Sequence, residues 1–239
     1  MPFAETPLRD EYAAAVERVA GRTLDALRGA GGAAALADPD TAVPRPLLAA
    51  VRALGADLFA PQLLTGAEPD GPTAALLAEA RRVFPAPAPA APEAALVIAW
   101  QDWAAGQVLA RTPYADAAPP PPPLPAPPPG SAEPGWQAWS VRMAQLSALA
   151  LPGLDGPVHD AARANLLALS RGTVRSMLRR DFTTAVRLTR WLAWADAEDR
   201  PPYLEVEPVL DRIRLVGIGA VRTRLDLAIA QRLSEGTPS

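Results

Sequence analysis

Proline decides where helices can begin and where they must end in this chain. Its ring holds φ near the helical value, but it lacks an N–H and clashes with the preceding turn. Of the 239 residues 29 are proline, and they are unevenly spread. Thr6-Pro7 reads as an N-cap followed by proline at the first helical position. Tyr12, Val16, Val19, Thr23 and Leu27 then recur at spacings of three and four, which predicts an amphipathic helix over 7–29 ended by the Gly29 to Gly32 stretch. The same logic predicts helices from Pro46 to Phe59, from Pro72 to just before Pro85, and from Pro92 to Arg111. Trp136, Trp139, Met143, Leu146 and Ala150 mark a fifth helix, stopped by Pro152-Gly153. Pro157 opens a sixth, and a seventh is expected over 173–198, with Gly172 weakening or breaking the passage between them. Glu207-Pro208 starts a last helix whose stripe is Val209, Ile213, Val216, Ala220 and Leu227. Tyr203 to Val206 alternates like a strand but is short and isolated.

The expected fold is therefore all-α, a helical bundle of about seven or eight helices. Pro119 to Pro129 holds nine prolines in eleven residues, a run suited to polyproline II. It suggests two helical halves joined by a stiff spacer, with an N-terminal helical region at 1–112, a proline-rich linker at 113–134 and a C-terminal helical region at 135–239. Docking of the run by a proline-recognising partner is the weaker reading.

Missing residue types exclude much chemistry. There is no cysteine, which removes thiolate nucleophiles, disulfides and thiolate metal sites. All 23 basic residues are arginine, so there is no Schiff-base amine and no P-loop lysine. His159 is the only histidine, and a lone histidine at a helix start reads as structural. The lack of lysine and the abundance of Ala, Arg, Pro and Gly suggest a GC-rich bacterial genome. No signal-like start and no apolar run long enough for a bilayer is present, so the expected location is cytoplasmic. Residues 1–118 carry 9 arginines and 14 acids, a net −5, while 119–239 carry 14 arginines and 12 acids, a net +2. Neither half has the basic excess of a nucleic-acid binder, so nucleic acid is disfavoured as a partner. Ile213 to Arg222 imitates a dinucleotide fingerprint, but Arg222 replaces the third glycine and too little chain follows for the next strand. Gly217 and Gly219 read instead as close-packing positions or a break in the last helix. The acids Asp196, Glu198 and Asp199 read as a solvated helix end, and neither a metal nor a cofactor is expected.

Two features carry a functional expectation. The six tryptophans form three W-x-x-W pairs, Trp100/Trp103, Trp136/Trp139 and Trp191/Trp194, each a broad indole surface on one helix face. They suit core staples, an aromatic-lined pocket or an exposed patch. Residues 171–190 hold six arginines and one aspartate. Arg171, Arg175 and Arg179 form an i, i+4, i+8 ribbon. On a continuous helical wheel Trp191 and Trp194 fall off the apolar stripe, with Arg187 four residues before Trp191 and Arg190 four before Trp194. Arginine stacked on indole at the surface is one reading, and a helix buried on two faces is the other. The candidate partner- or anion-binding set is thus Arg171, Arg175, Arg179, Arg187, Arg190, Trp191 and Trp194. The expected function is a non-enzymatic helical adaptor or assembly subunit that binds another protein or a second copy of itself. The alternative is a helical small-molecule-binding protein or enzyme with a Trp-lined pocket and arginines for an anionic group.

Overall fold

The computed structural model describes residues 5–29, 43–85, 92–115, 120–124, 135–217 and 219–236. Every regular element among them is helical. The expected starts and stops are largely where proline puts them. Helix α1 spans Glu5–Leu27, α4 Gly71–Val83 and α5 Pro92–Leu109. Asp70 caps α4 by accepting the Thr73 amide at 2.8 Å, with Pro72 in the first turn, so the chain satisfies one orphan amide and never needs the one proline lacks. Tyr203 to Val206 forms no strand; Val206 opens a helix.

There are more segments than the seven or eight helices expected, because several of the predicted helices are broken. The predicted 46–59 helix is α2, Arg45–Leu54, followed by a 3₁₀ segment, Gly55–Phe59, and the short α3, Ala60–Leu63. Gly55 has φ +55°, which ends the α-helix and turns the chain toward the core. After α6, Trp136–Gln145, a second 3₁₀ segment runs Ser147–Leu149, and α7 covers Pro157–Ala164. The predicted 173–198 helix divides in two. Helix α8, Leu166–Leu178, ends at Arg179, and α9, Phe182–Asp196, begins after Asp181. Arg180 takes φ 58°, and Asp181 caps α9 through the Thr184 amide at 3.1 Å. Gly172 lies inside α8 and breaks nothing. The last predicted helix divides at Gly217, φ +81°, into α10, Val206–Val216, and α11, Val221–Ser234.

Helix α9 is the centre of the fold. It packs against α8, α11, α10 and α6, while α1 lies on α2 and α11, and α5 meets the first 3₁₀ segment. Consequently one hydrophobic cluster runs from Ala15 and Val51 through Trp100 to Leu192 and Leu233, across both sides of the proline run. Of that run, 120–124 is described, and the Pro123 carbonyl accepts the Trp100 indole N–H at 3.3 Å. The rest of the expected linker, 116–119 and 125–134, lies outside the described residues. No helix among the described residues is long and apolar enough to cross a membrane.

Candidate functional site

The break at Arg180 changes what the arginines can do. Arg171, Arg175 and Arg179 lie on α8 and its cap and face solvent, whereas Arg187, Arg190, Trp191 and Trp194 lie on α9. Arg190, Trp191 and Trp194 are buried, so the reading of α9 as a helix covered on two faces is the one that fits. The continuous wheel does not hold across 179–181, which is why the two halves of the candidate set do not share one face.

Arg190 is fully buried and spends its whole fork. Its Nε donates to the Ala150 carbonyl at 3.2 Å, Nη1 to Asp226 Oδ1 at 3.0 Å, and Nη2 to Asp57 Oδ1 at 2.6 Å. Asp57 sits in the first 3₁₀ segment and Asp226 on α11, and both are buried. Each aspartate has a second arginine on its other oxygen. Arg222 Nη2 donates to Asp57 Oδ2 at 2.8 Å, and Arg187 Nε to Asp226 Oδ2 at 3.3 Å. The result is a chain of alternating charge, Arg222–Asp57–Arg190–Asp226–Arg187, with three cations against two anions. Burial alone would raise the Asp57 carboxyl, but Arg190 and Arg222 more than reverse this and hold it below its ordinary 3.8. Arginine suits the central position because its planar fork can serve three acceptors at once, which a lysine ammonium cannot do with the same geometry.

Beside this network two of the tryptophan pairs meet around the lone histidine. His159 lies 5.5 Å from Trp191, 5.1 Å from Trp194 and 6.3 Å from Trp103, centroid to centroid. Trp100 and Trp103 stack edge-on at 5.3 Å, as do Trp191 and Trp194 at 5.5 Å. The Trp191 indole donates to the Met143 carbonyl at 2.8 Å. His159 Nε2 lies 3.0 Å from the Leu149 carbonyl oxygen, which can only accept, so Nε2 carries the proton. Burial pushes this imidazole below its ordinary 6.5, outweighing the lift from that hydrogen bond. The guanidinium over Trp194 belongs to Arg163, at 4.8 Å, and not to Arg190 as the sequence spacing suggested. Arg163 also bridges Glu198 at 2.9 Å and so draws in one of the acids after α9. The third pair stands apart, with Trp139 buried, Trp136 half-buried and Arg175 6.0 Å above the Trp136 ring.

Among the described residues, three of the clefts that open to solvent bear on these side chains, and none of the three is lined by a tryptophan. Two flank α8. On one side a cleft of about 400 Å³ is lined by Arg142, Arg175, Arg179, Ser140 and Asp181. On the other a groove of about 560 Å³ is lined by Val174, Met177, Leu178, Tyr203, Leu204 and Val209. Leu178 is 80% exposed and Tyr203 73%, and both line this one groove. The third cleft, between α5 and the network, is lined by Arg187 and Arg222.

Comparison with protein-family models, with curated proteins and with solved structures returns no match to this chain.

The residues that sequence reasoning missed are Asp57, Asp226 and Arg222. Their partners are distant in the chain, Asp57 lying 133 positions from Arg190. A local signal does exist. Asp57 stands in Gly-Ala-Asp-Leu-Phe-Ala and Asp226 in Leu-Asp-Leu-Ala-Ile-Ala, single acids inside otherwise apolar stretches. An acid so placed is either exposed at a kink or buried with a cation.

Proposed function

We propose that this chain is a non-enzymatic helical adaptor or assembly subunit that docks a partner protein across α8. The observation that carries the reading is the position of α8 between a basic cleft and an apolar groove, both open to solvent. Successive outward positions along the helix alternate between the two chemistries. Arg171, Arg175 and Arg179 form one edge, while Val174, Met177 and Leu178 form the other. A mixed ridge of this kind suits a protein segment that carries acids along one side and apolar residues along the other. The apolar edge supplies area removed from water, worth about 25 cal/mol per Å² buried, and the arginines set orientation and encounter rate. The absence of cysteine and lysine, and the burial of the single histidine, leave this surface without thiol, amine or imidazole chemistry. The tryptophan pairs support the reading from the inside, since three indoles around His159, with Trp100 stacked on one of them, back α9 where it carries α8.

The test is a fluorescent helical peptide with leucine and glutamate at i, i+3 and i+4 spacing, followed by anisotropy against the full chain. Binding that weakens with salt, and that is lost in Leu178→Asp and in Arg175→Glu, supports the proposal. No binding, or binding that both variants retain, removes it.

A further inference from the structure

The arginine–aspartate chain has both ends in one place. Arg222 and Arg187, its terminal members, line the same cleft of about 680 Å³. Its inner members are saturated. Both oxygens of Asp57 and both of Asp226 are taken, and all three nitrogens of Arg190 donate. The terminal members are not. Arg187 uses only Nε, and its two terminal nitrogens have no partner among the described residues. Arg222 Nε is shut off from solvent and unpartnered, although its Nη1 and Nη2 reach the Ala53 carbonyl and Asp57. The uncompensated positive charge of the network therefore ends at the cleft wall, where Arg187 is 31% and Arg222 18% exposed. None of the described residues that line this cleft is an acid. Glu17, the carboxylate next to Arg222 along the fold, spends its oxygens on the backbone amides of Val221 and Arg222 at 2.6 and 3.5 Å.

Part of the lining is apolar. Ala94, Val97 and Ile98 of α5 contribute to it, together with the polar groups of Gln101, Gln145 and Ser147. A volume of this size suits a small organic molecule. Both guanidinium groups are held by buried carboxylates, and Arg187 keeps its two terminal nitrogens for a ligand, so the positive lining is oriented before an anion arrives. We infer that this cleft binds an organic anion, a carboxylate or phosphate monoester with a short apolar body, with the head on Arg187 and Arg222 and the body against α5. The site shares only Gln145 with the basic cleft beside α8, and the inference does not rest on what docks there.

Titration calorimetry on the full chain tests this with hexanoate, hexyl phosphate, 1-hexanol and inorganic phosphate. One or both amphiphilic anions bind, and hexanol and inorganic phosphate bind roughly tenfold or more weakly. Which of the two anions is preferred distinguishes a carboxylate from a phosphate head. Arg187→Gln weakens the binding by roughly tenfold or more. Ala94→Trp, at an exposed position on α5, fills the apolar part of the cleft and abolishes it at unchanged melting temperature. The inference is overturned if neither anion binds, if inorganic phosphate binds as tightly as hexyl phosphate, or if both variants bind as the unmodified chain does.

Discussion

Arg190 and Asp57, 133 positions apart in the sequence, meet at 2.6 Å with neither side chain exposed to solvent. The pair ties α9 to the first 3₁₀ segment, and so ties the chain after the proline run to the chain before it. Burying such ions is costly, and the cost is offset by the bonds that all three Arg190 nitrogens and all four carboxylate oxygens make. Arg190→Met leaves Asp57 and Asp226 each short of a partner, and is expected to destabilise the fold by about 3–5 kcal/mol. Arg190→Lys is also strongly destabilising, since an ammonium cannot reproduce the three-way fork. Adding Asp57→Asn and Asp226→Asn to Arg190→Met should recover part of the loss, because the stranded charges go with them. Urea unfolding of the four proteins checks this; a triple variant less stable than Arg190→Met alone would refute the account of the network.

His159 gives the fold a pH dependence that can be read cleanly, because the chain has no second histidine. Its folded pKa lies below the ordinary 6.5, so the unfolded chain binds the proton more readily. The neutral ring therefore contributes stability that is fully present above pH 6.5 and is lost as pH falls from 6.5 through the depressed folded value. Unfolding free energy should slope downward on acidification across that window, and His159→Phe should flatten the slope. At lower pH a second loss is expected from Asp57, whose carboxyl is held below 3.8, as pH falls from that value through the folded one. A flat profile from pH 6.5 to 5.5 in the unmodified protein would contradict the burial of a neutral imidazole.

Gly172 lets α6, α8 and α9 come together. A Cβ there would lie 2.7 Å from Ser140 Cβ, 2.8 Å from its Oγ and 3.0 Å from Leu188 Cδ1. Alanine gains helix propensity worth up to about 1 kcal/mol, but overpacking costs about 1–3 kcal/mol, so Gly172→Ala should destabilise on balance. The exchange Gly172→Ala with Ser140→Gly moves the methyl-sized volume across the interface and should restore most of the loss. Thermal melts of the single and double variants decide it.

Leu178 is expected to be dispensable for folding. It is 80% exposed, so Leu178→Asp should alter unfolding free energy by no more than about 0.5 kcal/mol. A large loss in denaturant unfolding would show that its groove belongs to the fold and not to a partner.

Much of the fold was legible in the sequence because proline and helical periodicity speak locally. The starts at Pro72 and Pro92 hold to within a residue, and so does the stop before Pro85. What was not legible lay in breaks that leave the apolar period almost intact. The passage from Leu178 to Phe182 is one such break, made by Arg180 with positive φ and an aspartate cap, and it invalidated a wheel drawn through it. The site divided in the same way. Arg171, Arg175 and Arg179 stand in the open as their ribbon spacing suggests, while Arg190 is buried by acids that no local window contains. The tryptophan pairs were readable as pairs, but their meeting around His159 depends on contacts between α5, α7 and α9.

The central claim, that α8 is a docking ridge, is tested most directly by a two-dimensional ¹H–¹⁵N nuclear magnetic resonance titration of the full chain with the leucine–glutamate helical peptide. The account predicts the largest amide shifts at Val174, Leu178, Arg179 and Val209, with His159 and Trp194 unmoved. Shifts centred away from α8 and its two flanking clefts, or none at saturating peptide, would contradict it.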